Sequence, residues 1–165
     1  PEEVEKYFPG FLAFTDCTEQ QIPRPKDKRR RKAYYSGKKK RHTVKNQLVV
    51  NNKGYIIHKA KHKKGRKRHD YDVYKKNYPI TPKDVLNVYD LGYLVGVEKD
   101  FPEQLSALPY KKKKNQELSA EEKKYNKIHS KKRIVIEHII CRLEKYRIQS
   151  DIFRNKLRKY IEYQI

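Results

Sequence analysis

The sequence predicts an α/β domain with a mixed β-sheet flanked by helices, and three observations lead there. Its apolar residues fall in short dense runs, at 11–14, 48–50, 55–57, 85–89 and 134–143, each bounded by Gly, Pro, Asn or charge. The lysine-rich stretches, at 26–32, 38–41, 59–68 and 111–114, lie between those runs, where loops and rims of a folded domain belong. The order strand, hairpin, helix, strand, helix then asks for parallel and antiparallel neighbours in one sheet.

Residues 11–16 (Phe-Leu-Ala-Phe-Thr-Asp) have strand length and end in a carboxylate, Asp16. Residues 43–60 read as a hairpin, with a turn at Asn51-Asn52-Lys53-Gly54. From His69 to Asn77 the chain is polar, Val73 and Tyr74 sit at helical positions, and Pro79 closes the segment. Residues 85–90 form a second short run ending in a carboxylate, Asp90, followed by Leu91-Gly92. Ser119 with Glu122 three positions on is a capping box. It opens a helical stretch expected to pause near Ser130 and resume through Arg147.

With 42 Lys+Arg against 20 Asp+Glu, the 165 residues carry a formal net charge of +22. That excess points to a polyanionic partner. No run of 18 apolar residues exists, so no membrane partner is expected, and the start lacks the basic and apolar regions of a signal peptide. Cys17 and Cys141, without a CxxC pair, exclude a disulfide framework and a cysteine zinc knuckle. A cytoplasmic protein with reduced thiols is the expectation. The absence of Met suggests part of a longer or processed product.

In so basic a chain, an acid inside an apolar run needs a reason. Asp16 and Asp90 sit at predicted strand ends, where sites form in open α/β sheets. Glu137 interrupts a helical segment, 133–140, that is apolar on nearly every side. A buried carboxylate without a partner costs several kcal/mol, so a cation should face it. Arg133, one turn back, is the nearest structural answer. Taken singly, Asp16 or Asp90 reads as a turn former. Together the three acids favour a divalent metal site of hard oxygen ligands, suited to Mg²⁺ or Mn²⁺.

These residues resemble the DDE transposases of bacterial insertion sequences, in the branch related to Harbinger-like elements, from about Phe14 to Tyr160. Asp16-Cys-Thr-Glu19 resembles the first-aspartate segment, with Cys17 in place of the usual Gly. Tyr35-Ser-Gly-Lys-Lys-Lys-Arg-His-Thr-Val44 is similar to a characteristic stretch of the family, His69-Asp70 to its His-Asp pair, and Asp90-Leu-Gly-Tyr93 to its second-aspartate motif. Leu108-Pro-Tyr-Lys-Lys112, Ser130-Lys-Lys-Arg-Ile-Val-Ile-Glu-His138 and 147–155 complete the likeness. Leu94-Val95-Gly96 departs by one residue, and Glu144 stands where the family usually has a basic residue.

The resemblance implies an RNase H-like fold with a core at about 11–148 and a basic C-terminal helix or tail at 149–165. It implies a catalytic triad of Asp16, Asp90 and Glu137 holding two Mg²⁺ (or Mn²⁺) ions, about 4 Å apart in such sites. The activity implied is cleavage of double-stranded DNA at transposon ends and strand transfer to target DNA, by a homodimer associated with the bacterial nucleoid. The family's N-terminal helix-turn-helix is expected to be absent, because only 15 residues precede Asp16. DNA affinity should then rest on phosphate contacts without base readout.

Lys38, Lys39, Lys40, Arg41 and Arg133 are the candidate DNA contacts. His138 is a candidate for the second rank of the site or for a packed helix position. His42, His58 and His62, among lysines, are expected to face solvent, and no HExxH spacing supports zinc. Tyr34, Tyr35, Tyr71, Tyr74 and Tyr110 adjoin basic residues, either to stack on bases or to pack at the sheet rim. A non-enzymatic basic nucleic-acid-binding protein, an inactive transposase remnant and a nuclease acting on RNA–DNA hybrids are the alternatives. The placed carboxylates argue against a simple phosphate binder.

Overall fold

The computed structural model describes residues 10–60, 63–64, 70–77, 79, 81–94, 96–114, 116–146, 150–152 and 154. His62, His69, the helix end expected at Arg147 and most of the tail at 149–165 lie outside the described residues. The elements are β1 (Phe11–Gln21), α1 (Lys28–Tyr34), β2 (Tyr35–Ser36), β3 (Arg41–Asn51), β4 (Ile56–Lys59) and β5 (Lys63–Lys64). They continue with α2 (Asp70–Lys76), β6 (Val85–Val88), a 3₁₀ turn (Leu91–Tyr93), α3 (Val97–Asp100), β7 (Ser106–Ala107) and α4 (Ala120–Glu144). Among the described residues one mixed sheet runs in the order β2-β3-β1-β6-β7, with β4 and β5 also paired to β3. With helices against this sheet, the architecture is the expected mixed α/β class and is consistent with an RNase H-like fold.

β1 is antiparallel to β3 from Ala13 to Gln21 but parallel to β6 only from Phe11 to Phe14. Residues 12–15, flanked by strands on both edges, are buried, whereas 16–19 are half-buried. Asp16 therefore lies within an 11-residue strand and not at its end as the sequence suggested. The polar stretch after it stays extended because β3 supplies a hydrogen-bonded partner throughout. What ends near Asp16 is the parallel ladder with β6.

The hairpin turn forms as expected. The Asn51 Oδ1 accepts from the Lys53 and Tyr55 N–H groups at 3.0 and 2.9 Å, and Gly54 takes φ +83°, which its missing Cβ permits. The basic run at 26–32, expected to be loop, is largely helix α1: Asp27 caps its N-terminus and Arg31 and Lys32 lie in its last turn. The capping box is present, with Ser119 Oγ accepting from Glu122 N–H and Glu122 Oε2 from Ser119 N–H. The helix it opens is unbroken for 25 residues, without the expected pause at Ser130, because a serine lowers helix propensity only slightly.

One core cluster joins Leu12, Phe14, Val50, Val88, Ala107 and Ile136, so α4 packs on the face of β1, β3, β6 and β7. A second gathers Tyr71, Tyr74, Tyr89, Tyr93 and Val97. Their buried hydroxyls are satisfied: Tyr74 and Tyr89 each donate to Gln104 Oε1 at 2.9 Å, and Tyr93 Oη accepts from Gln47 Nε2 at 3.2 Å. Tyr71 and Tyr74 are thus packing residues, while Tyr35 and Tyr110 remain exposed.

Ile136 has no exposed surface and lies between Arg133 and Glu137 in sequence, so it sets how α4 seats on the sheet. Ile136→Ala should cost about 2–5 kcal/mol. A fall in the urea midpoint at constant slope is the expected result, and an unchanged midpoint would contradict this packing.

Candidate active site

The register of the parallel ladder brings two carboxylates together. Its last pair is Phe14 with Val88, both in the core beneath α4. Side chains alternate along a strand, so two residues on, Asp16 and Asp90 emerge on that same face at one level. Asp90 leaves β6 in extended geometry and caps the 3₁₀ turn, its Oδ1 accepting from Leu91 N–H at 2.7 Å. Asp16 Oδ1 accepts from its neighbour Cys17 N–H at 2.7 Å.

Arg133, on α4, closes the arrangement. Its Nη2 donates to Asp16 Oδ2 at 2.9 Å and its Nη1 stands 3.2 Å from Asp90 Oδ1. The residue is only 8% exposed, and its Nε has no hydrogen-bond partner. Burial raises the Asp16 pKa above the usual carboxylate value, and Asp90 and Asp70 add to that rise. Arg133 and the Cys17 N–H oppose it without cancelling it. The sequence-based pairing of Arg133 with Glu137 is corrected: the guanidinium turns to the two aspartates. Glu137 is exposed, because α4 packs through Ile136 and Arg133 and leaves position 137 on the open side.

Asp16, Asp90 and Glu137 nevertheless line one cleft of about 390 Å³. Lys38 and Lys39, from the turn between β2 and β3, line it too, whereas Lys40 and Arg41 do not. Arg41 instead donates to Gln21 Oε1 at 2.8 Å. Cys141 and Glu144 follow Glu137 on the cleft side of α4, as their i, i+4, i+7 spacing predicts, and Thr18 Oγ1 donates to Glu144 Oε1 at 3.3 Å. His138 is neither packed nor in the cleft lining but exposed, one position round the helix from the cleft face. The packed helix histidine is His129, which is 2% exposed and faces the Ala107 carbonyl at 3.3 Å. His42 and His58, expected in solvent, are half-buried.

Sequence reasoning assigned no role to a second charged group in the same cleft. Lys45 Nζ lies 2.9 Å from Asp70 Oδ1 and 3.6 Å from Glu19 Oε1. Burial pulls the Lys45 pKa down, but Asp70 and Glu19 outweigh it and hold the ammonium above the usual lysine range. Cys17 lies beside this pair, its thiol pushed well up by burial and by Asp70, with Sγ 3.6 Å from Tyr93 Oη. The available signal was a lysine inside the run from Val44 to Val50, a stretch buried at every position in β3, where a charge needs a partner.

Among the described residues no three His, Cys, Asp or Glu side chains are gathered closely enough to hold a metal ion by themselves. The cation between Asp16 and Asp90 in this structure is Arg133. In kind the donors suit a hard divalent ion: the Asp16, Asp90 and Glu137 side chains that line the cleft offer carboxylate oxygens.

A family model described as DDE superfamily endonuclease matches residues 15–164. A probable transposase for insertion sequence element IS702, from Microchaete diplosiphon, is 37% identical over 149 residues. The alignment covers 90% of this chain and 52% of that protein, so the chain spans about half the length of this relative. No solved structure matches the chain. Among the described residues no helix is long and apolar enough to cross a membrane.

Arg133→Gln removes the cation that Asp16 and Asp90 share. Roughly 1–3 kcal/mol should be lost at pH 7, less than for a fully buried pair because Asp90 is half exposed. The Asp16 pKa then rises further above its unfolded value, so the deficit is largest where Asp16 must ionise and shrinks as pH falls through the variant's folded pKa. Urea unfolding of parent and variant at pH 7 and pH 4.5, with chelator present, should show the gap narrowing. A gap independent of pH would contradict the ion pair.

Proposed function

Because the chain belongs to the DDE superfamily endonucleases, we propose that it is the catalytic portion of an insertion-sequence transposase, cutting and joining DNA strands. The observation that carries this reading is the meeting of Asp16 and Asp90, from neighbouring parallel strands, with the helix that bears Glu137, in a cleft rimmed by lysines. A protein that only neutralised phosphate would gain nothing from acids aimed at its polyanion.

In this reading Asp16, Asp90 and Glu137 are the residues that hold divalent cations, Mg²⁺ or Mn²⁺. Bound there, the ions supply Lewis-acid stabilisation of the attacking and leaving oxygens of a phosphodiester. The remaining work falls to the protein. Lys38 and Lys39 draw the DNA backbone over the cleft mouth and offset its charge beside the carboxylates. Asp90 is held through Oδ1 by Leu91 N–H and Asp16 through Oδ1 by Cys17 N–H, so the backbone fixes both carboxylates at the cleft, with Asp16 Oδ2 on Arg133. Arg133 holds the two aspartates together before substrate arrives and is a candidate phosphate contact once its carboxylates are otherwise engaged. Water is the nucleophile for cleavage at the transposon end, and the released 3′-OH is the nucleophile for joining. No covalent protein–DNA intermediate is needed.

Mg²⁺-dependent cleavage of a labelled transposon end tests this reading. Asp16→Asn, Asp90→Asn and Glu137→Gln should each abolish cleavage and weaken divalent-cation binding, while DNA binding persists or improves as negative charge is removed. Full cleavage by Asp90→Asn would overturn the assignment.

Glu144 adds an acid to the cleft wall, held only by Thr18 among the contacts described for it. If DNA phosphates pass there, Glu144→Lys replaces repulsion with attraction. Duplex affinity should rise several-fold, more at low salt than at high salt, in titrations at two ionic strengths. Equal affinities for parent and variant would place the backbone elsewhere.

A further inference from the structure

The turn that gives Lys38 and Lys39 to the cleft gives its first residue, Gly37, to a second depression of about 670 Å³. Arg24, Lys28, Arg31, Lys32, Tyr35 and His42 complete that lining. It contains no acid, and none of its four Lys or Arg side chains has an acidic partner among the described residues. The nearest acid in sequence, Asp27, is engaged as the cap of α1, its Oδ1 accepting from Arg30 N–H at 2.7 Å. Arg31 Nε is buried without a hydrogen-bond partner, a donor that an arriving acceptor oxygen would satisfy. Tyr35 and His42 face each other across the β2–β3 pairing, ring centroids 5.6 Å apart and nearly perpendicular, and form a fixed wall of the depression.

The turn between the two hollows is itself well held. Ser36 pairs with Arg41, Ser36 Oγ accepts from Lys39 N–H at 3.2 Å, and Lys40 adopts φ +53°. Three lysines in a row are thereby presented on a hairpin tip, with a carboxylate-bearing cleft on one flank and an acid-free basic hollow on the other.

We propose that this hollow is a second site for DNA-backbone phosphates, receiving the same duplex that occupies the carboxylate cleft after it crosses Lys38, Lys39 and Lys40. The inference rests on the DNA reading above and extends it, because the hollow has cations and no carboxylates: it grips without cutting. A duplex carries one negative charge per about 1.7 Å of axis, so any DNA long enough to leave the cleft presents phosphates to it. Contacts of this kind fix the position of a duplex without reading its sequence.

The test compares the chain with its Arg24→Gln/Lys28→Gln/Arg31→Gln variant on a duplex long enough to extend beyond the cleft. The logarithmic salt dependence of affinity should become less steep by about 2–3, since each lost phosphate contact removes about 0.9 from the slope. A second measurement needs no variant: acylation of Lys28 and Lys32 in the parent, read by mass spectrometry, should be suppressed by that duplex. An unchanged slope with unprotected lysines, while the parent binds duplex, would overturn this inference and leave the proposed function standing. Equal protection by inorganic phosphate at the same phosphate concentration would overturn the assignment to duplex backbone. Failure of the parent to bind duplex at all would overturn the DNA reading itself.

Discussion

The Arg133 guanidinium lies 2.9 Å from Asp16 and 3.2 Å from Asp90, and the geometry of the cleft follows from that double contact. Two carboxylates brought to one level by neighbouring strands repel each other, and burial penalises the more enclosed of them. A shared cation relieves both effects at once. It also fixes the helix, because Arg133 and Ile136 lie one turn apart on the same side of α4. Ile136 enters the apolar layer of Leu12, Phe14, Val50 and Val88, while Arg133 caps the polar layer that begins two residues further along the same strands. The core and the cleft are consecutive layers of one stack.

The second cluster shows how a chain with 36% hydrophobic residues and no Met or Trp still fills an interior. Tyrosine supplies the volume, and each buried hydroxyl must then find a partner. Gln104 serves Tyr74 and Tyr89, and Thr81 Oγ1 in turn accepts from Gln104 Nε2 at 2.8 Å. Tyr71 reaches the Gly96 carbonyl and the Asp100 carboxylate; burial and its bond to Asp100 push its pKa well above the usual tyrosine range. Tyr93, in the turn capped by Asp90, meets Gln47 and Cys17. The polar network thus braces the strand end from which Asp90 projects.

Much of this was legible in the residues. The apolar runs mark β1, β3, β6 and α4, and Asp90 before Leu-Gly lies two residues past the end of β6, as the cap of the 3₁₀ turn. Asp16 was misplaced to a strand end since nothing local to residues 17–21 reveals that β3 lies alongside them. Glu137 was expected to be buried because its neighbours are apolar all round. Ile134 is in fact 40% exposed, so apolar composition alone did not fix which side of α4 faces the sheet. Arg133 looked like a local partner for Glu137, yet its contacts are 117 and 43 positions away in sequence (133 − 16 and 133 − 90). The Lys45–Asp70 pair was hidden for the same reason, as a contact between a strand and a later helix. Long-range pairing is what a linear pattern does not carry.

The outer edge of β3 has a consequence for how this chain behaves when concentrated. Residues 44–50 of that strand are buried throughout and include Val44, Leu48, Val49 and Val50. Left open, such an edge is a template on which another copy's strand could add and begin a fibril. Here β2, β5 and β4 occupy it in succession, at positions 41–42, 44–45 and 48–50, and a register shift between Val49 and Val50 breaks its regularity. Three short strands, two of them only two residues long, act as plugs on a surface prone to self-association. Loosening β4 or β5 uncovers part of that adhesive strip.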